Sequence, residues 1–191
     1  MTESLSVAFL QEAARAIIQR TRYCFLVTLD EVGRPNARLM QHFEPEDDLT
    51  LWLGTSAASH KVAHILADDR VLIADEDPDD PAYVTLLGTA RIVRDPALQR
   101  QYWVDEYLES FPAGPESEDY VLIRVTPSRI ELMSYARHIT PSPSGLRPAV
   151  LVREGDSWEV EEVKMAKDGK KGKKDKTKKG KGKGKGGKKG K

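Results

Sequence analysis

From residue 22 onward the chain is a succession of short runs rich in β-branched and aromatic residues, each closed by turn chemistry. This pattern constrains the fold more than any other feature. "YCFLVTLD" (23–30), "RPNARLMQHF" (34–43) and "LTLWLG" (49–54) are separated by "DEVGRP" and "EPEDD" and read as three sequential antiparallel strands. "RVLIADE", an acidic turn "DPDDP" and the long strand "AYVTLLGTARIV" follow, then "YVLIRVTP", "RIELMSY" and a final hairpin "PAVLVRE-GD-SWEVEEV". Gly88, inside a strand, predicts a bulge or a close backbone approach. Only two or three helices are inserted. "SVAFLQEAARAIIQR" places Val7, Leu10, Ala14, Ile17 and Ile18 at helical spacing behind Ser6 as N-cap. "SHKVAHILADD" is a short helix, and "DPALQRQYWVDEYLESF" a second amphipathic one with Asp95 as cap and Pro96 at its first position. The helix–strand alternation of a doubly wound sheet is absent. The expectation is a mainly β fold, a closed or nearly closed antiparallel barrel, because closure removes exposed edges.

Charge divides the chain into two parts. Residues 1–163 carry 15 basic and 28 acidic groups, net −13, whereas residues 164–191 carry 15 lysines and two aspartates, net +13. The expected organisation is one folded domain over 1–163 and a lysine- and glycine-rich tail over 164–191. The tail has no apolar residue beyond Met165 and Ala166, so disorder is expected there. Such a segment suits non-specific contact with nucleic acid or another polyanion, and equally an arm folded back on the acidic body. It lacks the arginines and aromatics that read or stack on bases, so sequence specificity is not expected. Cys24, the only cysteine, reads as a small core hydrophobe; it offers no disulfide framework and fits a reducing compartment. No apolar run approaches the roughly 18 residues that span a bilayer. "MTESLSVAF" carries an acid where a signal peptide carries basic residues, so a cytoplasmic protein without a membrane partner is expected.

Cation usage marks one stretch. The first 163 residues hold fourteen arginines and a single lysine, Lys61, within "TSAASHKVAHI". With Ser59 as cap, Lys61 is the second residue of its helix, where the macrodipole makes a cation unfavourable by up to about 1 kcal/mol unless an anion is near. Helix-start N–H groups, a serine hydroxyl and an ammonium form a phosphate site; a solvated surface lysine is the plainer reading. In "ARLMQHF", strand alternation puts Arg38, Met40 and His42 on one face and Leu39, Gln41 and Phe43 on the other. Arg38, in line with hydrophobic neighbours, needs a carboxylate or a bound anion. His60 and His64, four apart on a helix, could face one metal, but no third ligand lies at a supporting spacing and no metal site is expected. No Gly-rich phosphate loop, nucleophile elbow or paired-carboxylate signature is present, so no residue is nominated as catalytic.

"FLVTLDEVGRPNARLM", "LWLGTSAASHKVAHILADDRV" and "AYVTLLGTARIVRD", in this order and spacing, resemble the FMN-binding split β-barrel proteins of the pyridoxamine 5′-phosphate oxidase superfamily. "YWVDEYLESFPAGPESEDYVLIRVTPSRIEL" resembles its general stress protein branch. The resemblance implies a six-stranded Greek-key split barrel, a homodimer, one FMN at each end of the dimer interface, and an oxidoreductase acting on a small molecule. It implies that Arg38 reaches the phosphate and that the backbone of Leu39, Met40 and Gln41 lines the isoalloxazine. Thr55, Ser59, His60 and Lys61 match the phosphate segment, with His60 in place of a common arginine, and Trp103 approaches from the partner subunit. Two departures count against pyridoxamine phosphate oxidase activity itself. Tyr83 stands where those oxidases show a glutamine, and their C-terminal arginine-containing substrate motif has no match. A non-catalytic flavin- or haem-binding protein docked by its tail, and a deazaflavin enzyme, stay open as alternatives.

Overall fold

The structure is a computed structural model and describes residues 5–139 and 147–161. The expectations placed on the lysine-rich tail, and most of the irregular stretch 139–148, lie outside the described residues.

Helix α1 (Val7–Ile18) starts where expected. Ser6 accepts the Phe9 N–H at its hydroxyl, and Leu10, Ala13, Ala14, Ile17 and Ile18 form the buried stripe. Arg15, on its far side, donates to the Pro45 and Glu46 carbonyls at 2.8 Å each. Strands β1 (Tyr23–Leu29) and β2 (Pro35–Gln41) make a hairpin. Its turn is held by Asp30, whose carboxylate accepts the N–H groups of Val32 and Arg34, and by Gly33 at φ 78°. The Arg34 N–H, with smaller help from the Arg34 guanidinium and the Val32 N–H, holds the Asp30 carboxyl below its ordinary value against a partial desolvation that opposes it.

The remaining elements are β3 (Leu51–Ser56), α2 (His60–Ala67), β4 (Arg70–Asp77), β5 (Ala82–Val93), α3 (Pro96–Gln101), β6 (Tyr120–Ser134), β7 (Ala149–Glu154) and β8 (Ser157–Val160). All pairings are antiparallel, and the strand order is β2-β1-β4-β5-β6-β7-β8 with β3 also on β6. The fold is a β-dominated split barrel, with eight strands where six were expected.

Three details differ from the sequence reading. β3 does not pair with β2; it crosses to β6, and the gap is bridged by the Phe43 N–H donating to the Trp52 carbonyl at 3.0 Å. The two runs around Pro127 are one fifteen-residue strand, β6, because Pro127 falls opposite Gly88, where the β5–β6 register shifts. A Cβ on Gly88 would overlap the Thr126 carbonyl oxygen and lie 2.8 Å from Pro127 Cα, so the bulge predicted there is a close backbone approach. Helix α3 stops after six residues and a 3₁₀ turn takes up Asp105–Glu109. The break lets Tyr102 and Trp103 turn inward: Tyr102 stacks on Trp52 at 4.8 Å, and Trp103 meets Tyr120 edge-on at 5.0 Å. The expected pairing of strands therefore failed where a strand changed neighbours, and the expected helix failed where its aromatic residues had a better site.

The main core lies between α1 and the sheet; the aromatic residues form a second cluster around Trp52, Phe111, Tyr120 and Leu122. Cys24 is buried in the main core, and burial pushes its thiol up to about 12. Among the described residues no helix is long and apolar enough to cross a membrane.

Candidate functional site

β2 runs beside β1 with Leu26 opposite Arg38, Phe25 opposite Leu39, Cys24 opposite Met40 and Tyr23 opposite Gln41. Alternation sends Arg38 and Met40 toward the core side and leaves Leu39 on the outer face. Arg38 is half-buried. Its Nη1 donates to the Leu26 carbonyl at 3.1 Å and to Thr28 Oγ1 at 2.8 Å, and desolvation holds the guanidinium below its ordinary value.

Lys61 comes to the same place from α2. It is the helix's second residue, and its Nζ donates to Thr55 Oγ1 on β3 at 2.9 Å. Desolvation, and then the neighbouring Arg38 charge, push its ammonium down. Ser59 occupies the N-cap with extended backbone, yet its hydroxyl makes no capping bond; the oxygen is buried and finds no partner among the described residues. His60 opens the helix on the exposed side. Two adjacent, half-buried cations thus stand at the positive end of a helix beside an unpartnered hydroxyl. No carboxylate of the described residues pairs with either cation, although the chain is rich in them. An anion placed here would meet Arg38, Lys61, Ser59 Oγ and helix-start amides together.

His64 and Thr28 were not foreseen in this cluster. Thr28 is fully buried, and its Oγ1 lies 3.0 Å from His64 Nδ1. The available signal was Thr28 itself, a polar residue on the strand face otherwise formed by Cys24 and Leu26. Among the described residues no group of three or more His, Cys, Asp or Glu is placed to hold a metal.

The outer face of the same strands is apolar. Tyr23, Phe25 and Leu39 are 50%, 52% and 58% exposed, and with Ala74, Tyr83 and Thr85 they line a groove of about 450 Å³. Leu39 borders it directly, while Met40 packs against the core and Gln41 is half-buried at the end of β2. Trp103 joins none of these groups within its own chain; it packs on Tyr107, Phe111 and Tyr120. The structure therefore gathers Arg38, Thr55, Ser59, His60 and Lys61 around the start of α2, sets Leu39 on the groove, and leaves Trp103 in the aromatic cluster.

The family model described as pyridoxamine 5′-phosphate oxidase matches residues 10–134. Among solved structures, general stress protein 26 of Bacillus anthracis is 28% identical, with 65% of this chain and 93% of that one covered and a TM-score of 0.58. A pyridoxamine 5′-phosphate oxidase-related, FMN binding protein of Nostoc punctiforme is 17% identical over 83% of this chain and 95% of its own, with a TM-score of 0.56. A heme binding protein of Mycobacterium smegmatis is 23% identical over 64% of this chain and 53% of its own, with a TM-score of 0.50. The last two share the fold. No curated protein matches the sequence.

Proposed function

Because this chain belongs to the pyridoxamine 5′-phosphate oxidase family, we propose that it is an FMN-binding flavoprotein whose phosphate site is the start of α2. The observation that carries the reading is the pair Arg38 and Lys61, both desolvated, adjacent, and without a carboxylate among the described residues. A phosphate monoester supplies the missing charge. Arg38 and Lys61 would hold it by charge-assisted bonds, each contributing about 1.5–3 kcal/mol, with Ser59 Oγ, Thr55 and His60 at its edges. Leu39, Met40 and Gln41 would border the flavin ring along β2. Bound FMN supplies hydride and electron transfer, and the residues here bind, orient and desolvate it. The protein would act as an oxidoreductase on a small molecule; Tyr83 on the groove, rather than a glutamine, argues against pyridoxamine phosphate oxidase activity itself.

The exposed Tyr23, Phe25 and Leu39 support a homodimer in which a second copy covers this face, with Trp103 reaching the partner's flavin. Residues 1–163 would form the flavin domain, in the cytoplasm, and 164–191 a cationic arm for nucleic acid or another polyanion. A salt titration on mixed-sequence DNA, with and without 164–191, tests the arm; equal binding by both chains refutes it.

The reading of the site is tested on the purified full chain. A yellow protein, or uptake of added FMN with Lys61→Ala weakening it at least tenfold, supports it. A colourless protein that takes up no FMN, a haem spectrum in its place, or unchanged affinity in Lys61→Ala overturns it.

A further inference from the structure

His64 lies one helical turn beyond His60 and has no assigned role, yet it is tied to the cluster through a hydroxyl that has no access to water. Thr28 Oγ1 is fully buried on β1. It accepts one Nη1 proton of Arg38 at 2.8 Å, and the other Nη1 proton goes to the Leu26 carbonyl at 3.1 Å. An arginine has no acceptor, so the direction of the Arg38–Thr28 bond is fixed: nitrogen donates, hydroxyl accepts. Thr28 then has a single proton left to give. The acceptor within reach among the described residues is His64 Nδ1, at 3.0 Å. The arrangement that leaves no buried hydroxyl proton without an acceptor has Thr28 donating to a bare His64 Nδ1, with the imidazole proton on Nε2.

The order of donation is Arg38 to Thr28 to His64. Its consequence falls on Arg38. With both Nη1 protons committed to β1, the guanidinium plane is set, and the three N–H groups on Nη2 and Nε remain for a ligand. If the Thr28 rotor were free, its lone pair would not be held toward Nη1, and Arg38 would lose one of its two fixing contacts.

We propose that His64 is a positioning residue for the phosphate site: by accepting from Thr28 it orients Arg38, and so raises affinity for the phosphate group of FMN. This rests on the FMN reading above. The chemistry recognised is a phosphate monoester, so the effect belongs to FMN and not to riboflavin, which lacks that group.

The test uses the full chain and compares FMN with riboflavin by quenching of flavin fluorescence. His64→Leu removes the acceptor and is expected to weaken FMN three- to tenfold while leaving riboflavin unchanged. His64→Asn, whose Oδ1 can take the Thr28 proton, is expected to return FMN affinity to within twofold of the parent. In an Arg38→Ala background His64→Leu should have no further effect, because its influence passes through Arg38. Thr28→Val cuts the chain at its middle and should reproduce the loss, which keeps the test open if His64→Leu folds poorly. Equal weakening of FMN and riboflavin, or a full additional loss in the Arg38→Ala background, overturns the proposal.

A second readout needs no flavin. Nitrogen-15 shifts of the His64 ring in the ligand-free protein should show Nδ1 bare and Nε2 protonated; the opposite tautomer overturns the proposal. Failure of the parent protein to bind FMN refutes the FMN reading instead, and the tautomer measurement still decides the hydrogen-bond order.

Discussion

Lys61 offers a test in which affinity and stability move in opposite directions. In the ligand-free protein its ammonium is second in α2, against the helix dipole, half-buried and beside Arg38. The dipole alone costs about 0.3–1 kcal/mol at such a position. Lys61→Gln removes the charge and keeps an N–H donor for Thr55 Oγ1, so no new buried acceptor is orphaned. The ligand-free variant should be more stable than the parent by about 0.3–1 kcal/mol, or roughly 1–4 °C in Tm for a domain of this size. With FMN the sign reverses. A charge-assisted bond contributes about 1.5–3 kcal/mol and a neutral one about 0.5–1.5. The difference, about 1–1.5 kcal/mol, corresponds to roughly five- to fifteenfold weaker binding. Urea or thermal unfolding without ligand and a fluorescence titration with FMN read the two effects. A variant that is destabilised and binds FMN as tightly as the parent would refute the reasoning that Lys61 is retained for an anion.

Three further outcomes follow from the fold. Gly88→Ala puts a methyl into the Thr126–Pro127 backbone, which has no side chain able to yield, so a loss of about 1–3 kcal/mol or more is expected by urea unfolding; a neutral result would mean the bulge is not as close as described. His42 is buried 3.4 Å from Asp75; burial opposes its charge, but the Asp75 carboxylate and the Phe43 carbonyl, which accepts from Nδ1 at 2.9 Å, outweigh it and raise the imidazole above its ordinary 6.5. Its contribution to stability is then fully present below about pH 6.5 and fades as pH rises through the folded value, so His42→Gln should flatten the pH dependence of the urea midpoint over that range; an unchanged slope would remove His42 as its source. Phe25→Asp places a charge in the middle of the exposed apolar face, and if this face carries the proposed homodimer, light scattering should find dimer for the parent and monomer for the variant; an unchanged mass would refute an interface on this face.

Much of the fold was legible because it depends on local chemistry. Ser6, the helical spacing behind it, the Asp30–Gly33 turn and the period-two run of β5 each act within a few residues. What was not legible depends on distant partners. Pro127 ends a strand in isolation, and only the bulge at Gly88 opposite lets β6 run through it. The helix pattern of 95–111 is sound by period, but Trp52 and Tyr120, remote in sequence, draw Tyr102 and Trp103 out of it. β3 pairs with β6 rather than β2, and nothing within its own residues signals that neighbour. The site divides in the same way. Arg38 and Lys61 were visible as cations in costly surroundings, whereas Thr28 and His64 became part of the cluster only once β1 and α2 were placed side by side.

The most direct measurement is a titration of the full chain with FMN and with riboflavin, followed by flavin absorbance and fluorescence. Expected is one FMN per chain, preferred over riboflavin by at least about 100-fold, since two charge-assisted bonds to the phosphate contribute roughly 3 kcal/mol or more. No uptake of FMN, or equal affinity for FMN and riboflavin, would contradict a phosphate site built from Arg38 and Lys61.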